Sequence, residues 1–305
     1  MIERPYPPWR PASAGSVTTT HSCDRAGHGS PPRFSRSAHP KVCYRFPMAD
    51  NSGIEWTDAT WNPTVGCTKV SPGCDHCYAE CLTHRFAKTY PNGFTLTLRP
   101  EALDLPRRWR RPRLVFVNSM SDLFHRDVPD DYLRQVFDVM AACPQHRFQV
   151  LTKRAERLAR VAHRLPWPPN VWIGVSVETR DYLWRVDYLR SVPAALRFVS
   201  AEPLLGSLAS LNLDGIDWLI AGGESQAGAR PAQLDWFREL RDRCAADDVA
   251  FFLKQLGGHP HKRGGDQALL DGRRWMAWPS VEQVRLPRSI TATDLLPELQ
   301  TLGVA

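Results

Sequence analysis

The clearest architectural signal in the sequence is Val171-Trp172-Ile173-Gly174-Val175-Ser176-Val177-Glu178. Its apolar run is nearly continuous and rich in β-branched residues, as in a parallel strand that is buried on both faces of a sheet. Polar residues capable of binding follow as soon as the run ends. The stretch therefore predicts a buried parallel strand that delivers polar groups at its carboxyl end.

The same pattern recurs on both sides of this stretch. Apolar residues at spacings of three and four separate the runs and predict amphipathic helices. The predicted strands lie near Thr60–Gly66 and at Leu114–Asn118, Phe148–Thr152, Val171–Val177, Leu196–Ser200, Trp218–Ala221 and Val249–Leu253, and the predicted helices at Asp131–Ala142, Arg154–His163, Asp181–Leu189 and Leu234–Ala246. Six or seven βα units predict an α/β protein with a partial or complete (β/α) TIM-like barrel. An open doubly wound sheet is the second architecture.

Polar residues stand at the end of nearly every predicted strand. In a barrel these ends meet on one face, so the residues predict a shared pocket there. At any single strand, capping of the following helix is the alternative. Glu202, Glu224 and Lys254 are the candidates for acid and base work, and Gly222-Gly223 lets backbone N–H groups approach an anion. The remaining polar candidates are Asn118, Ser119, Asp122, Ser176 and Glu178.

Composition and charge exclude several classes of protein. The 305 residues are 43% hydrophobic and 23% charged, which excludes collagen, coiled coil and wholesale disorder. No stretch approaches the ~20 apolar residues of a membrane span, so we expect a cytoplasmic protein. The net charge of +7 indicates nucleic acid, but residues 1–47 contribute most of it, with seven basic and two acidic residues.

Three segments are expected along the chain. Residues 1–47 are rich in Pro, Ser and Arg and lack any apolar period, so we expect a disordered extension, with a nucleic-acid-binding arm as the alternative. Met48 looks like a more natural start. The barrel is expected over residues 48–280 and a tail over residues 281–305. The basic run Arg107–Arg113 is more typical of a solvated loop before a strand; a nucleic-acid or nucleotide substrate is the alternative, to which the basic residues over 153–164 add modest support.

Four of the eight cysteines fall within fifteen positions, in Cys67-Thr68-Lys69-Val70-Ser71-Pro72-Gly73-Cys74-Asp75-His76-Cys77 and at Cys81. Without a secretory signal, clustered thiols indicate a metal rather than disulfides. A structural zinc would take four ligands, with Cys81 or a histidine as the fourth. An iron–sulfur cluster held by three thiolates keeps one iron open. A helix beginning near Cys77 would turn Cys81 away from the loop mouth, which favours the open cluster.

These residues resemble the phage-type three-cysteine-motif family, which has the loop C-x6-C-x2-C and looks like a divergent branch of the radical SAM enzymes. The resemblance runs from about residue 52 to residue 279. It is carried by Gly53–Pro63, the cysteine loop, Asn118–Phe124, Leu151–Lys153, Ile173–Glu178, Ser200–Gly206, Ile216–Pro231, Phe252–Gly258 and Leu270–Trp275. The loop is longer than the C-x3-C-x2-C of most radical SAM enzymes.

The resemblance implies a barrel of the radical SAM type with a [4Fe-4S] cluster on Cys67, Cys74 and Cys77. It implies S-adenosylmethionine on the open iron, an external electron donor, and a 5′-deoxyadenosyl radical that takes hydrogen from a substrate in the barrel. A phage- or nucleic-acid-related substrate and a protein partner encoded nearby are further expectations. The alternative function is a non-enzymatic zinc or iron–sulfur module that acts with nucleic acid.

The resemblance also suggests roles for residues at two strand ends. By strand position, Asn118, Ser119 and Asp122 would contact the methionine end of the cofactor. Ser176 and Glu178, which follow a later strand, would contact its ribose.

Overall fold

A computed structural model describes residues 52–279 of the chain. The extension predicted over residues 1–47 and the tail predicted over residues 281–305 lie outside this range. The described part contains eleven strands, β1 Ala59–Trp61, β2 Thr64–Val65, β3 Thr97–Leu98, β4 Leu114–Val117, β5 Arg147–Thr152, β6 Val171–Ser176, β7 Leu196–Ala201, β8 Trp218–Gly222, β9 Ala250–Gln255, β10 Leu269–Leu270 and β11 Arg273–Arg274.

Seven of these strands form one parallel sheet in the order β1-β4-β5-β6-β7-β8-β9. Each new member of the sheet pairs with the member before it in the chain, and no strand within residues 52–279 returns to the other side of β1. A doubly wound sheet reverses its order at a switch point, so that second architecture is wrong. The sheet is curled into a half-barrel, which confirms the predicted α/β fold with a partial (β/α) barrel.

The helices lie where the crossovers of this sheet require them. They are α1 Tyr78–Arg85, α2 Leu105–Arg108, α3 Asp130–Ala141, α4 Ala155–Ala162, α5 Trp184–Arg190 and α6 Leu234–Ala246. Right-handed connections between parallel neighbours in sequence order place the helices on one face of the sheet. Within residues 52–279, no helix has the length and the apolar character that crossing a bilayer requires.

The predicted strand Thr60–Gly66 divides into two elements. β1 belongs to the main sheet, whereas β2 pairs with β3 in a separate antiparallel ladder. Pro63 lies between them and has no N–H to continue a ladder. Its carbonyl instead accepts hydrogen bonds from the Arg99 N–H at 2.8 Å and the Tyr132 hydroxyl at 2.7 Å. The proline therefore ends β1 and redirects the chain into the cysteine loop.

The inner face of the half-barrel changes from aromatic to polar along the strands. Every second residue of a strand faces the same side. Phe116, Trp172, Phe198, Trp218 and Phe252 form one buried cluster on that side, with Trp56 against Phe116 at a centroid distance of 4.7 Å. Two or four residues further along the same strands stand Asn118, Ser176, Ser200 and Lys254. The aromatic cluster thus closes the amino end of the barrel, and the polar residues line a pocket at its carboxyl end.

Candidate functional site

A cavity of about 600 Å³ lies at the carboxyl ends of the strands. Its walls come from the loop between β2 and α1 and from the segments that follow β4 to β9. The predicted site residues that line it are Cys67, Cys74, Cys77, Asn118, Ser119, Asp122, Ser176, Glu202, Gly223, Glu224 and Lys254. Glu178 and Gly222 do not line it. The predicted residues from six separate segments of the chain therefore meet at one place.

The cysteine loop begins at Gly66 and ends at the first turn of α1. Gly66 has a φ of +86°, and a Cβ there would strike the Thr95 carbonyl, so only glycine permits this turn. Pro72–Cys74 forms a single 3₁₀ turn. Cys77 is the N-cap residue of α1, which begins at Tyr78 as the sequence predicts. The loop thus presents three thiols between a forced turn and a helix start.

The three thiols are half-buried and line one cavity. Burial, assisted by Asp122, raises the pKa of the Cys67 thiol to about 11, while Arg154 opposes this from 3.7 Å. Burial also raises the pKa of Cys77, against the N–H groups of Glu80 and Ala79. Without a metal Cys67 and Cys77 are therefore protonated at neutral pH, and binding a metal through their thiolates would release protons.

The donor set suits a group that takes thiolate ligands, although the thiols do not yet surround one point. Among residues 52–279, no three His, Cys, Asp or Glu side chains converge closely enough to hold a single metal ion. For the fourth thiol, Cys81, the sequence predicts an orientation away from the loop mouth, and the structure differs. Cys81 is exposed and lines the same cavity, because the first turns of α1 form part of the wall.

Glu178 is buried beneath the loop rather than in the cavity wall. Its side chain is 0% exposed and forms ion pairs with Lys153 at 2.5 Å and Arg185 at 2.9 Å. The Ser71 hydroxyl donates to the same carboxylate at 2.8 Å, and a Cβ on Gly73 would come within 2.5 Å of it. Burial acts to raise the pKa of Glu178, but Lys153 and Arg185 outweigh it and lower the pKa. Its contacts fix the cysteine loop, and its predicted ribose contact stays a prediction.

Glu224 contacts the cysteine loop from another side, through His76 and Arg230. The His76 ring nitrogen Nδ1 donates to its Oε2 at 2.9 Å, and Arg230 donates through its backbone N–H at 2.9 Å and its Nη2 at 2.6 Å. Arg230 also donates to the Pro72 carbonyl at 2.8 Å. Burial acts to raise the pKa of Glu224, but these hydrogen bonds outweigh it and hold the pKa at about 2. Glu224 is therefore ionised at neutral pH, and both of its carboxylate oxygens already accept hydrogen bonds from His76 or Arg230.

Asp122, Asn118 and Ser119 organise the loop that follows β4. Asp122 accepts hydrogen bonds from the Phe124 N–H at 2.9 Å, the Thr152 hydroxyl at 2.7 Å and the Lys153 N–H at 3.0 Å. The Asn118 amide donates to the Thr64 hydroxyl at 2.8 Å. The Ser119 hydroxyl donates to Asn62 at 3.2 Å. These three side chains line the cavity with part of their hydrogen-bonding capacity already used.

Glu202 and Lys254 form an ion pair in the cavity wall. Lys254 Nζ lies 2.9 Å from Glu202 Oε1, and the Ser200 hydroxyl donates to Oε2 at 3.3 Å. A Cβ on Gly222 would collide with Oε1, so Gly222 makes room for the carboxylate instead of lining the site. The Gly223 N–H donates to the Gln255 carbonyl at 3.0 Å. That N–H is not available to an anion, which counts against the predicted anion cradle.

Sequence reasoning missed Ser71, Arg185 and Arg230, which complete the contacts of the two buried acids. Arg185 lies in α5 and Arg230 in the loop before α6, far from the cysteines in the chain, so no local pattern marks them. Two members of the predicted basic cluster over residues 153–164 point inward: Lys153 pairs with Glu178, and Arg154 donates to the Thr68 carbonyl at 3.0 Å. These two cations support the cysteine loop rather than an outer nucleic-acid surface.

The run Arg107–Arg113 is only partly a free surface. Arg107 pairs with Asp104 at 2.6 Å, and Arg113 lies over the Trp109 ring at 5.2 Å. Trp109 packs against the core beside His146, at a centroid distance of 5.6 Å. The tryptophan is therefore not presented as a stacking platform, and the nucleic-acid role of this run stays a prediction.

Comparison with known proteins gives one family and three solved structures. The family model described as "Protein of unknown function (DUF5131)" matches residues 51–279. The comparison with curated proteins gives no match. The phage-type three-cysteine resemblance stays a prediction.

The three solved structures are of spore photoproduct lyase. A cysteine-to-alanine mutant with dinucleoside spore photoproduct has a TM-score of 0.42 at 14% identity and covers 63% of this chain and 62% of that one. A double mutant with bound AdoMet and the same photoproduct gives 0.40 at 14%, with 68% and 59% covered. The lyase complexed with the photoproduct gives 0.42 at 15%, with 65% and 64% covered. The chain thus spans about three fifths of the length of these proteins, and TM-scores below 0.5 leave the likeness without weight as to function.

Proposed function

The chain belongs to the family of proteins of unknown function DUF5131, and from its site we propose a radical-SAM-like iron–sulfur enzyme. In this proposal Cys67, Cys74 and Cys77 ligate a [4Fe-4S] cluster, and S-adenosylmethionine binds the remaining iron. When bound, these groups supply an electron and a 5′-deoxyadenosyl radical that removes a hydrogen atom from the substrate. An external electron donor is required, because the proposal includes no internal one.

The observation that carries the proposal is that three thiols of one loop open into the polar cavity of a parallel half-barrel. The loop follows β1 and the short β2, so the thiols meet the carboxyl ends of the other strands of the sheet, where such folds place their chemistry. Two buried acids hold the loop in place from below and from the side. A loop held at these two points has less freedom to lose when its thiols converge on a bound group, which lowers the cost of ordering them.

The remaining roles follow from position in the wall. Asn118, Ser119 and Ser176 are proposed to bind the cofactor, with Asp122 shaping the loop that carries the first two. Glu202 and Lys254 are proposed to contact the substrate. The sequence predicts Glu224 as a catalytic acid. Its carboxylate, however, accepts hydrogen bonds from Arg230 and His76, so we propose that Glu224 fixes the cysteine loop instead. A phage- or nucleic-acid-related substrate and a protein partner encoded nearby remain part of the proposal.

Cys81 supports a second candidate function. It lines the cavity together with the three loop thiols, so one wall carries four cysteines. Four thiolates are the ligand set of a structural zinc or of a closed iron–sulfur cluster. The alternative is therefore a non-enzymatic metal-binding module that acts with nucleic acid.

Anaerobic purification of the full chain and of four single variants separates the two functions. We expect a brown protein with about four irons per chain, as a [4Fe-4S] cluster requires, that cleaves S-adenosylmethionine on reduction. Cys67→Ala, Cys74→Ala and Cys77→Ala should each lose the iron, whereas the matched variant Cys81→Ala should keep it. A colourless protein with one zinc, or equal loss of metal in Cys81→Ala, would contradict the three-ligand proposal.

A further inference from the structure

The ion pair between Glu202 and Lys254 has hydrogen-bonding capacity that the fold does not use. The Lys254 side chain is 24% exposed, and among residues 52–279 its ammonium has one ion-pair partner, Glu202, at 2.9 Å. The Glu202 side chain is 14% exposed, and within the described part of the chain its carboxylate contacts only the Lys254 ammonium and the Ser200 hydroxyl, which donates a long hydrogen bond at 3.3 Å. An ammonium has three donors and a carboxylate about four acceptor positions, so both groups can still bind a ligand.

The other charged residues of the cavity wall differ from this pair. Asp122 accepts three hydrogen bonds from the loops around it, and the Glu224 carboxylate accepts hydrogen bonds from Arg230 and His76. Lys153 is committed to the buried Glu178 at 2.5 Å. Arg85 and Lys262 also line the cavity but are exposed at its edge. Glu202 and Lys254 are therefore the partly buried charges that remain open to a ligand.

The backbone around the pair is arranged to present it. The register of β8 and β9 shifts between Ala221 and Gly222, so that Gly222 pairs with Gln255 and Lys254 has no partner on β8. A bulge of this kind redirects a side chain, and bulges are frequent next to active sites. Gly222 is also the residue whose missing Cβ admits the Glu202 carboxylate. Both members of the pair thus depend on an irregularity at the same point of the sheet.

Two aromatic side chains also line the cavity. Trp56 and Phe116 line it and meet edge to face, with Trp56 also against Trp218 at 6.4 Å. Aromatic rings of this kind favour packing against another planar ring. The pair itself carries no net charge, so the wall offers one strong donor and one strong acceptor without favouring a charged ligand.

We propose that Glu202 and Lys254 bind the edge of a neutral, planar heterocycle of the substrate, in which a hydrogen-bond donor adjoins an acceptor. Nucleobases have this chemistry: Lys254 would donate to a ring nitrogen or carbonyl, and Glu202 would accept from the neighbouring N–H. The inference rests on the proposed function and specifies its substrate class. The adenine of S-adenosylmethionine has the same kind of edge, so the test has to separate the two sources.

The test measures equilibrium binding of the four common ribonucleosides to the anaerobically purified full chain, by calorimetry. We expect at least one to bind, and Lys254→Met and Glu202→Leu each to weaken it about tenfold or more, because a charge-assisted hydrogen bond is lost. Methylation of the donor nitrogen, as in 3-methyluridine for uridine, should weaken binding equally. Lys88→Met, at an exposed lysine outside the cavity wall, is the matched control and should change nothing.

Three outcomes would overturn the inference. They are no binding by any of the four nucleosides, equal binding of the methylated nucleoside, or unchanged affinity in both variants. S-Adenosylhomocysteine is titrated in parallel. If the two variants no longer bind S-adenosylhomocysteine but still bind the nucleosides, Glu202 and Lys254 contact the cofactor rather than the substrate. The assignment of the pair to the substrate is then wrong.

The iron content of each preparation keeps this test separate from that of the proposed function. The three loop cysteines determine the iron, and Glu202 and Lys254 make no hydrogen bond or ion pair with them among the described residues. If nucleoside binding fails while the iron count stays near four, the inference falls and the proposed function stands. If a nucleoside binds to a protein without iron, the inference stands and the iron–sulfur proposal falls.

Discussion

Two acids that follow neighbouring strands of the sheet, Glu178 after β6 and Glu202 after β7, occupy opposite environments. Glu178 is fully buried and receives Lys153, Arg185 and Ser71. Glu202 faces the cavity and forms an ion pair with Lys254. The two positions look alike in the sequence, since each acid comes within two residues of a strand end. What separates a structural acid from a binding acid here is the number of donors that the rest of the chain supplies.

The same comparison divides the cavity into two parts. Around the cysteine loop, the charged side chains form ion pairs and hydrogen bonds with other groups of the protein. These contacts fix the loop. Around Glu202 and Lys254, the charged groups keep unused donors and acceptors, which leaves that part of the wall free to bind. A site that must hold ligands at fixed positions and also accept a substrate needs both kinds of wall.

The largest difference between the two acids is expected in folding stability. Glu178→Leu leaves Arg185, 1% exposed, and Lys153 without their partner, and breaking a buried pair from one side costs about 3–5 kcal/mol. Glu202→Leu should cost about 1 kcal/mol or less, because Lys254 can remain hydrated at the cavity surface. Denaturant unfolding of both variants measures the contrast. Equal losses would show that the two environments do not differ in the way described.

A second test acts on the contact between Glu178 and the loop. The Cβ of Gly73→Ala would lie 2.5 Å from the Glu178 carboxylate and must displace either the acid or the loop. Such overpacking costs about 1–3 kcal/mol, and we expect the iron content to fall as well. Gly53→Ala is the matched control, since nothing lies within 4 Å of its Cβ. Unchanged iron in Gly73→Ala would mean that the loop does not depend on this contact.

The third test uses pH on Glu224. Its folded pKa of about 2 lies below the value of about 4.3 for an unfolded glutamate, so its ionised form stabilises the protein above pH ~4.3. That contribution is lost as the pH falls from about 4.3 towards 2. Glu224→Gln should therefore be less stable than the parent protein at pH 7, and the difference should shrink below pH ~4.3. Midpoints of denaturant unfolding at several pH values check this; a difference that is independent of pH would contradict it.

The sequence predicted the positions of these residues better than their roles. Buried apolar runs and helical spacing located β4 to β9 and α3 to α6 to within a few residues, since hydrophobic periodicity is local information, whereas the short β3, β10, β11 and α2 were not predicted. α5 is a typical deviation: its predicted start at Asp181 is taken by a 3₁₀ turn, Arg180–Tyr182, and the α-helix begins at Trp184. The strand ends then placed Glu178, Glu202 and Glu224 at the carboxyl end of the barrel.

The partners of these acids depend on contacts that no local pattern contains. Ser71 reaches Glu178 across 107 positions of the chain, and His76 reaches Glu224 across 148. Arg185 lies on a helix whose sequence gives no reason to turn a cation inward. The positive charge of Lys153-Arg154 predicts an exposed basic face. Only the packing of the cysteine loop reveals that Lys153 contacts the buried Glu178 and that Arg154 donates to the Thr68 carbonyl. Local periodicity therefore predicts the scaffold, and long-range pairing determines the chemistry of each acid.

The smallest effect is expected at Arg154, which tests the loop side of the comparison without disturbing the fold. Its Nη2 lies 3.7 Å from Cys67 Sγ and donates to the Thr68 hydroxyl at 2.9 Å. A fixed positive charge next to a thiolate ligand favours the reduced, more negative state of an iron–sulfur cluster. Arg154→Gln should therefore shift the reduction potential of the proposed cluster to more negative values by tens of millivolts while the iron content stays the same. Arg160→Gln, at an exposed arginine of α4, is the matched control and should leave the potential unchanged. A redox titration followed by electron paramagnetic resonance measures both, and an equal shift in the two variants would show that general surface charge, rather than the contact with Cys67, sets the potential.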